Sequence, residues 1–404
     1  MNTATANTVI DDPDFTIAHG FFAEQGALLE CLDEYQKSAQ QTDQNEQTGM
    51  EGLAFPLLGL FGEVGTLLSA LKKKQRDKDS YVGYSESVVE EFGDVLWYLS
   101  NVAWRASLNF TDLAKHLSLH WRNSHLLRRN RTGSPDSSEF EAAVIALAGK
   151  AGLLLNEFSE GTVRNRRDLL GAYLADIFCA LIQAAATADI DLREAARQNL
   201  CKINSRWPTS REYTRLFDES VEQREQLPRK IEMHIVETQV GGKTCVIQLC
   251  NGVEIGSHLT DNKVVEDDYR FHDVFHLANA AILGWSPCLR ALFKVKRKSR
   301  PEVDETQDGA RAILIEEGLS TLVFHHALRQ NYFASIKSLD YSLLKTVQDF
   351  VAGYEVDHCP LWQWEEAILE GFRVFRNLRT HRRGIVTADL IERSITFKAH
   401  PNDR

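Results

Sequence analysis

The sequence predicts a mainly α-helical protein. Two four-helix-bundle-type repeats precede a mostly helical C-terminal domain that carries a small β-hairpin. Three observations predict this. Apolar residues recur at i, i+3 and i+4 through the first half, that half contains an internal duplication, and near Pro228 the pattern switches to a period of two. A chain of 404 residues, 43% of them hydrophobic, is long enough for two or three domains with well-formed cores.

Taken in order, Phe22, Leu28, Leu29, Leu32 and Tyr35 give helical spacing from Phe21 to about Gln40, and a loop rich in Gln, Thr and Asn follows. From Leu57 the rhythm continues through Leu60, Phe61, Val64, Leu67, Leu68 and Leu71. It returns at Val88, Phe92, Val95, Leu96 and Leu99, which predicts two core-facing helices. A further helix is predicted from Asp112 to about Leu126, and RRNRTGSPDSS (128–138) has linker composition.

The pattern then repeats. IALAGKAGLLLNEF (145–158) resembles LGLFGEVGTLLSAL (58–71), and LGAYLADIFCALI (170–182) resembles VVEEFGDVLWYLS (88–100). Alignment puts Lys150 where Glu63 stands, Leu153 where Thr66 stands and Tyr173 where Glu91 stands, while Asp176 matches Asp94. The second copy has kept its core and lost most of its acids, so the duplication reads as an internal pseudo-dimer of α-hairpins. Beyond Pro228, KIEMHIVETQ, GGKTCVIQLC and NGVEIG alternate apolar with polar residues around Gly-Gly and Asn-Gly, a small hairpin or meander. From Asp267 to about Asn377 the chain turns helical again, divided by Pro287, Pro301 and Pro360 into about four helices. The expected domains are therefore 18–128, 138–212 and 228–404.

Composition narrows the function classes. A formal net charge of -11 disfavours general binding to a nucleic-acid backbone. Seven scattered cysteines without a C-x-x-C pair read as free thiols. The N-terminal stretch lacks a basic, apolar leader and no long uncharged apolar run appears, so a soluble cytoplasmic protein without a membrane partner is expected.

Glu90, Glu91 and Asp94 lie at i, i+1 and i+4 within the apolar run VVEEFGDVLWYL, so at least one carboxylate must sit near a buried face. Two carboxylates about 4 Å apart repel by roughly 4 kcal/mol at an effective dielectric of about 20, and a divalent cation removes that repulsion. Mg²⁺ suits such oxygens, especially with substrate phosphates completing its shell. The alternative is a solvated helix edge. Lys72, Lys73, Lys74 and Arg76 follow the Glu63 helix, either as charges complementing its C-terminal dipole or as contacts to a polyphosphate.

The run GLFGEVGTLLSALKKKQRD (59–77), followed by EEFGDVLWYL, resembles the MazG-like members of the all-α NTP pyrophosphohydrolases, whose signature is a helix with E-x-x-E and a later helix with E-x-x-D. The second copy resembles a degenerate module ending in KINSRWP (202–208), a closing segment typical of the family. The resemblance implies two MazG-like repeats and a Mg²⁺-dependent (or Mn²⁺-dependent) pyrophosphohydrolase that converts a nucleoside triphosphate to a monophosphate and pyrophosphate. It implies Glu63, Glu91 and Asp94 as metal-binding and catalytic acids, with Glu90 beside them, and Tyr98 as a base contact; Lys73 and Arg76 of the basic run are the candidate phosphate contacts. A homo-oligomer, or the internal pseudo-dimer that the duplication suggests, is expected. The departure is Thr66, which stands at the second acid of E-x-x-E; Glu90, a water or an acid from elsewhere would have to replace it. A nucleotide-sensing module with weakened hydrolysis is therefore the alternative expectation.

The C-terminal region offers a second candidate site. His272 and His276 are i, i+4 on one predicted helix with Asp273 between them, a spacing that suits two imidazoles on one metal, and Glu316 or Glu317 can supply a carboxylate. The competing reading is a buried network of Asp273, His276 and Arg311. Glu366 and Glu370 are placed in the same bundle, and FKVKRKSRP (293–301) reads as a solvated basic surface or a phosphate contact. The region as a whole resembles the C-terminal domain attached to some MazG-like proteins.

Overall fold

The computed structural model describes residues 13–45, 47, 49–116 and 133–400. It is mainly α-helical with one five-stranded antiparallel sheet, and two compact units divide after Thr209.

Among the described residues the regular elements of the first unit are all helices, the α-helices being α1 (Pro13–Gln40), α2 (Ala54–Asp77), α3 (Tyr84–Arg105), α4 (Phe110–His116), α5 (Ser138–Ser159), α6 (Arg167–Thr187) and α7 (Leu192–Arg206). The rest of the helix expected to run to Leu126, and the start of the expected linker, lie outside the described residues. Pro56 occupies the first turn of α2, where its missing N–H costs nothing. Ser137 caps α5 by accepting from the Phe140 N–H, and Asp191 caps α7 by accepting from Arg193.

Helix α2 buries Leu57, Leu60, Val64, Leu67 and Leu71, and α3 buries Val88, Phe92, Val95, Leu96 and Leu99. Phe61, which the rhythm assigns to the core, is instead exposed, as are Phe55 and Leu58 on the same helix. Hairpin α2–α3 and hairpin α5–α6 pack into one continuous core. The stretches Gly49–Ser80 and Arg167–Thr187 are long and apolar enough to cross a membrane by composition, and both feed this core.

In the second unit β1 (Lys230–Val240) and β2 (Lys243–Cys250) form the expected hairpin, and β3 (Val253–Glu254) extends it. The Gly241-Gly242 and Asn251-Gly252 turns have positive φ at both central residues, the geometry that matches strand twist in two-residue loops. The sheet is larger than a hairpin, because β4 (Arg383–Asp389) and β5 (Ser394–Lys398) add to the free edge of β1 in the order β3-β2-β1-β4-β5. Six α-helices stand where about four were expected: α8 (Asp273–Ala278), α9 (Pro287–Leu292), α10 (Pro301–Thr306), α11 (Ala310–Leu328), α12 (Tyr341–Phe350) and α13 (Leu361–His381). Pro287 and Pro301 each begin a short helix, so these prolines start elements and do not merely divide them.

Candidate metal centre

Glu63 on α2 and Glu91 and Asp94 on α3 bring one carboxylate oxygen each to within 4.8 Å of one another. Helix periodicity explains the gathering. Glu91 and Asp94 are three residues apart on one face of α3, and Glu63 lies next to the buried Val64 on the helix that packs against it. Burial comes first among the causes that raise these acids, and the neighbouring carboxylates add to it. Glu63 is pushed up to about 7 and Glu91 to about 8. Asp94 is also raised by burial, although Lys202 opposes the shift. Glu91 Oε2 is buried without a hydrogen-bond partner. Three crowded, half-desolvated carboxylates with an orphaned oxygen make a hard-oxygen donor set that fits Mg²⁺ or Mn²⁺.

Two residues absent from the sequence-derived site complete its wall. Helix α7 delivers Lys202, whose Nζ contacts both Asp94 oxygens and lies 3.4 Å from Glu90 Oε1. It also delivers Asn199, whose Nδ2 donates to Asp94 Oδ1 at 2.8 Å while its Oδ1 accepts from Tyr35 OH at 2.8 Å. Gly93 permits this, since a Cβ there would sit 2.8 Å from the Ala195 carbonyl oxygen and from Asn199 Cβ. The signal in the sequence was the KINSRWP segment, which carries Lys202 but does not reveal where it folds.

Glu90 therefore stands at the edge of the cluster, facing Lys202. Thr66 is exposed, and its Oγ1 donates to Gly62 O at 3.2 Å, so it takes no part. Tyr98, one turn beyond Asp94, packs over Gly59, where a Cβ would meet its ring at 2.0 Å, and edge-on against Trp97. The structure does not gather Lys73 and Arg76 with the acids. Ten and thirteen residues along α2 from Glu63 set their backbones about 15 and 20 Å away along the axis. Arg76 moreover pairs with Asp77 at 2.6 Å. In the second hairpin Lys150 Nζ lies 3.8 Å from Asp176 Oδ2, so a lysine there neutralises the aspartate that aligns with Asp94.

The second unit holds a different cluster. His272 Nε2, His276 Nε2 and Glu317 converge, with Nε2 of His276 3.5 Å from Glu317 Oε1 and Nε2 of His272 3.7 Å from Oε2. Asp273 Oδ1 lies 3.2 Å from His272 Nε2, and Gln248 donates to the other Asp273 oxygen. Glu316 is fully buried and accepts from Ser286 Oγ, the Cys288 N–H and Asn279 Nδ2. Burial lowers the His272 pKa. Burial also pulls His276 down, but Glu316 and Cys288 outweigh it and hold that residue well above its ordinary value. Both ring nitrogens of His276 nonetheless lack a hydrogen bond of normal geometry, a cost of about 1–3 kcal/mol for a buried polar group.

This replaces the expected network. Arg311 is exposed and, among the described residues, makes no ion pair with Asp273 or His276. Glu366 instead accepts from Tyr213 OH, and Glu370 pairs with Arg373. Nor is the 293–301 run a uniformly solvated face, because Arg297 is buried between Asp308 and Glu355.

Comparison with protein families finds a likeness for this unit. Residues 212–401 match the MazG C-terminal domain. That match supports a MazG-related family, and it lies wholly in the second unit, so the histidine cluster falls within the matched residues. The Gene 37 protein of Mycobacterium phage L5 is 38% identical over 56 residues, which is 13% of this chain, so that the chain spans about half (49%) of that relative. No solved structure matches.

Proposed function

We propose that the protein is a Mg²⁺-dependent nucleoside triphosphate pyrophosphohydrolase, acting on NTPs or dNTPs to give a monophosphate and pyrophosphate, with one active and one degenerate repeat. The observation that carries the reading is the meeting of Glu63, Glu91 and Asp94 within 4.8 Å. Their sequence context resembles MazG-like pyrophosphohydrolases, and the MazG C-terminal domain match favours the same family. Glu63, Glu91 and Asp94 would hold Mg²⁺, or Mn²⁺ in its place, and the ion would supply charge neutralisation for the triphosphate and a more acidic water. In the metal-free site burial and crowding push Glu63 up to about 7 and Glu91 up to about 8, so the two acids would release their protons as the ion binds. Asn199 and Lys202 orient Asp94, and Lys202 offers a cation to the phosphates. Tyr98 presents its ring to the base.

Two observations favour a second reading, a nucleotide sensor with weak hydrolysis. Thr66 contributes no carboxylate, and Lys202 already neutralises Asp94. Incubation with a panel of NTPs and dNTPs plus Mg²⁺, scored for monophosphate and pyrophosphate, separates the two. Release that is lost in Asp94→Asn supports the enzyme; tight nucleotide binding with no release supports the sensor.

A further inference from the structure

We infer that the MazG C-terminal domain of this chain holds its own divalent transition-metal ion, of the Zn²⁺ class, on His272 Nε2, His276 Nε2 and a Glu317 carboxylate oxygen. The inference is independent of the acidic site in the first unit.

The donor atoms are spaced for an ion. Ligands about 2.05 Å from a tetrahedral centre stand about 3.4 Å apart. His276 Nε2 lies 3.5 Å from Glu317 Oε1 and His272 Nε2 3.7 Å from Glu317 Oε2, and one donor atom from each of the three residues lies within 4.8 Å of the other two, close enough for modest side-chain rotation to gather them on one ion. Two imidazoles facing one carboxylate at that spacing, without hydrogen-bond geometry at His276, are poorly explained as a polar network.

The rings are also oriented from behind. His272 Nδ1 lies 2.9 Å from Tyr269 O, so the Nδ1–H tautomer donates to that carbonyl and leaves the Nε2 lone pair facing Glu317. The Tyr269 ring stacks parallel on His272 with centroids 4.4 Å apart, and its hydroxyl is anchored to Thr321 Oγ1 at 2.8 Å. Behind His276, Nδ1 is 3.0 Å from Glu316 Oε1, whose carboxylate is fixed by Asn279, Ser286 and Cys288. A small adjustment of the ring on ion entry completes a carboxylate–histidine–metal arrangement of the kind that sets tautomer and ligand basicity.

Donor type and access define the ion. Two imidazole nitrogens and one carboxylate select a borderline cation such as Zn²⁺ or Fe²⁺ over Mg²⁺. The alternative trio of His276, Cys288 and Glu316 shares one ligand, but the Glu316 oxygens already accept three hydrogen bonds in a fully buried position. Glu317, in contrast, has a side chain that is 43% exposed. Three protein ligands with one solvent-facing side leave an exchangeable position, and Asp273 borders it.

The test uses the full-length chain, stripped with a chelator and titrated with Zn²⁺ alone, with bound metal counted by mass spectrometry and Co²⁺ substituted as a spectroscopic reporter of coordination. The expected result is one tight equivalent per chain, retained in Glu91→Gln and weakened at least tenfold in Glu317→Gln and His272→Ala. Glu317→Gln keeps size and alters a half-exposed side chain, so an unchanged circular dichroism spectrum separates lost ligation from lost folding. Absence of stoichiometric Zn²⁺ and Co²⁺ binding by the unmodified chain overturns the inference. So does binding that disappears in Glu91→Gln but persists in Glu317→Gln.

Discussion

Lys202 Nζ contacts both carboxylate oxygens of Asp94 across 108 residues of sequence and lies 3.4 Å from Glu90 Oε1. The ammonium thus stands beside the position a divalent ion would take, and the two cations repel. Lys202→Met is expected to bind Mg²⁺ several-fold more tightly, through about 1 kcal/mol of relieved repulsion at partial burial, while turnover of nucleotide falls because the phosphates lose a cation. Calorimetric titration at fixed ionic strength reads the first effect and pyrophosphate release the second. Unchanged Mg²⁺ affinity would mean that Lys202 swings clear when metal enters.

The raised acids give the metal-free protein a pH signature. Glu63 moves from 4.5 to about 7 and Glu91 from 4.5 to about 8, so the folded state binds more protons than the unfolded chain between these limits. Stability is then fully present below pH 4.5 and is lost as pH rises through 7 to 8. Metal binding requires the ionised carboxylates, so Mg²⁺ should raise Tm more at about pH 8.5 than at about pH 6, with proton release visible as a buffer-dependent heat. In Glu91→Gln the metal-free Tm should fall less steeply over the same range. A Tm profile identical to that of the unmodified chain would remove Glu91 from the cluster.

Thr66 offers a direct gain-of-site experiment. It is exposed one turn after Glu63, and its hydroxyl is turned back to the Gly62 carbonyl. Thr66→Glu removes that back-bond, which mildly disfavours helix, and adds a carboxylate on the Glu63 side of α2. Mg²⁺ affinity should rise about tenfold, equivalent to about 1.4 kcal/mol, if the added acid reaches the ion. The same titration on the Glu63→Gln background separates cooperation with Glu63 from a general charge effect, because only cooperation loses the gain.

The helices of the first unit were legible because burial on one face imposes a period that survives in residues such as Val64, Val88 and Phe92. The acids on α2 and α3 could be read from that same period. Lys202 and Asn199 could not, since no local pattern specifies which distant helix packs on α3. Strands β4 and β5 were missed although Val386 and Ala388 alternate inward, because so short a run after the 21-residue α13 gives little periodic signal. In the second cluster the histidine pair was readable from its spacing, whereas Cys288 reads in sequence as one of seven scattered free thiols, with no C-x-x-C pair to single it out. It enters through the fold, its backbone N–H bound to Glu316.

Gly93 ties the packing of the first unit to its chemistry, and Gly93→Ala tests that link. An added Cβ meets the Ala195 carbonyl oxygen and Asn199 Cβ, each at 2.8 Å, and the carbonyl belongs to helical backbone that cannot rotate away. Helices α3 and α7 must therefore separate by several tenths of an ångström, an overpacking that costs about 1–3 kcal/mol. Alanine's better helix propensity offsets up to about 1 kcal/mol of this. Asn199 and Lys202 ride on α7, so the shift lengthens their contacts to Asp94 before it disturbs Glu63 or Glu91. The expected outcome is a lower Tm together with a fall in pyrophosphate release, while Mg²⁺ affinity stays level or rises as the ammonium withdraws. A variant that loses stability yet keeps full turnover would show that Asn199 and Lys202 hold the bundle together without serving the site.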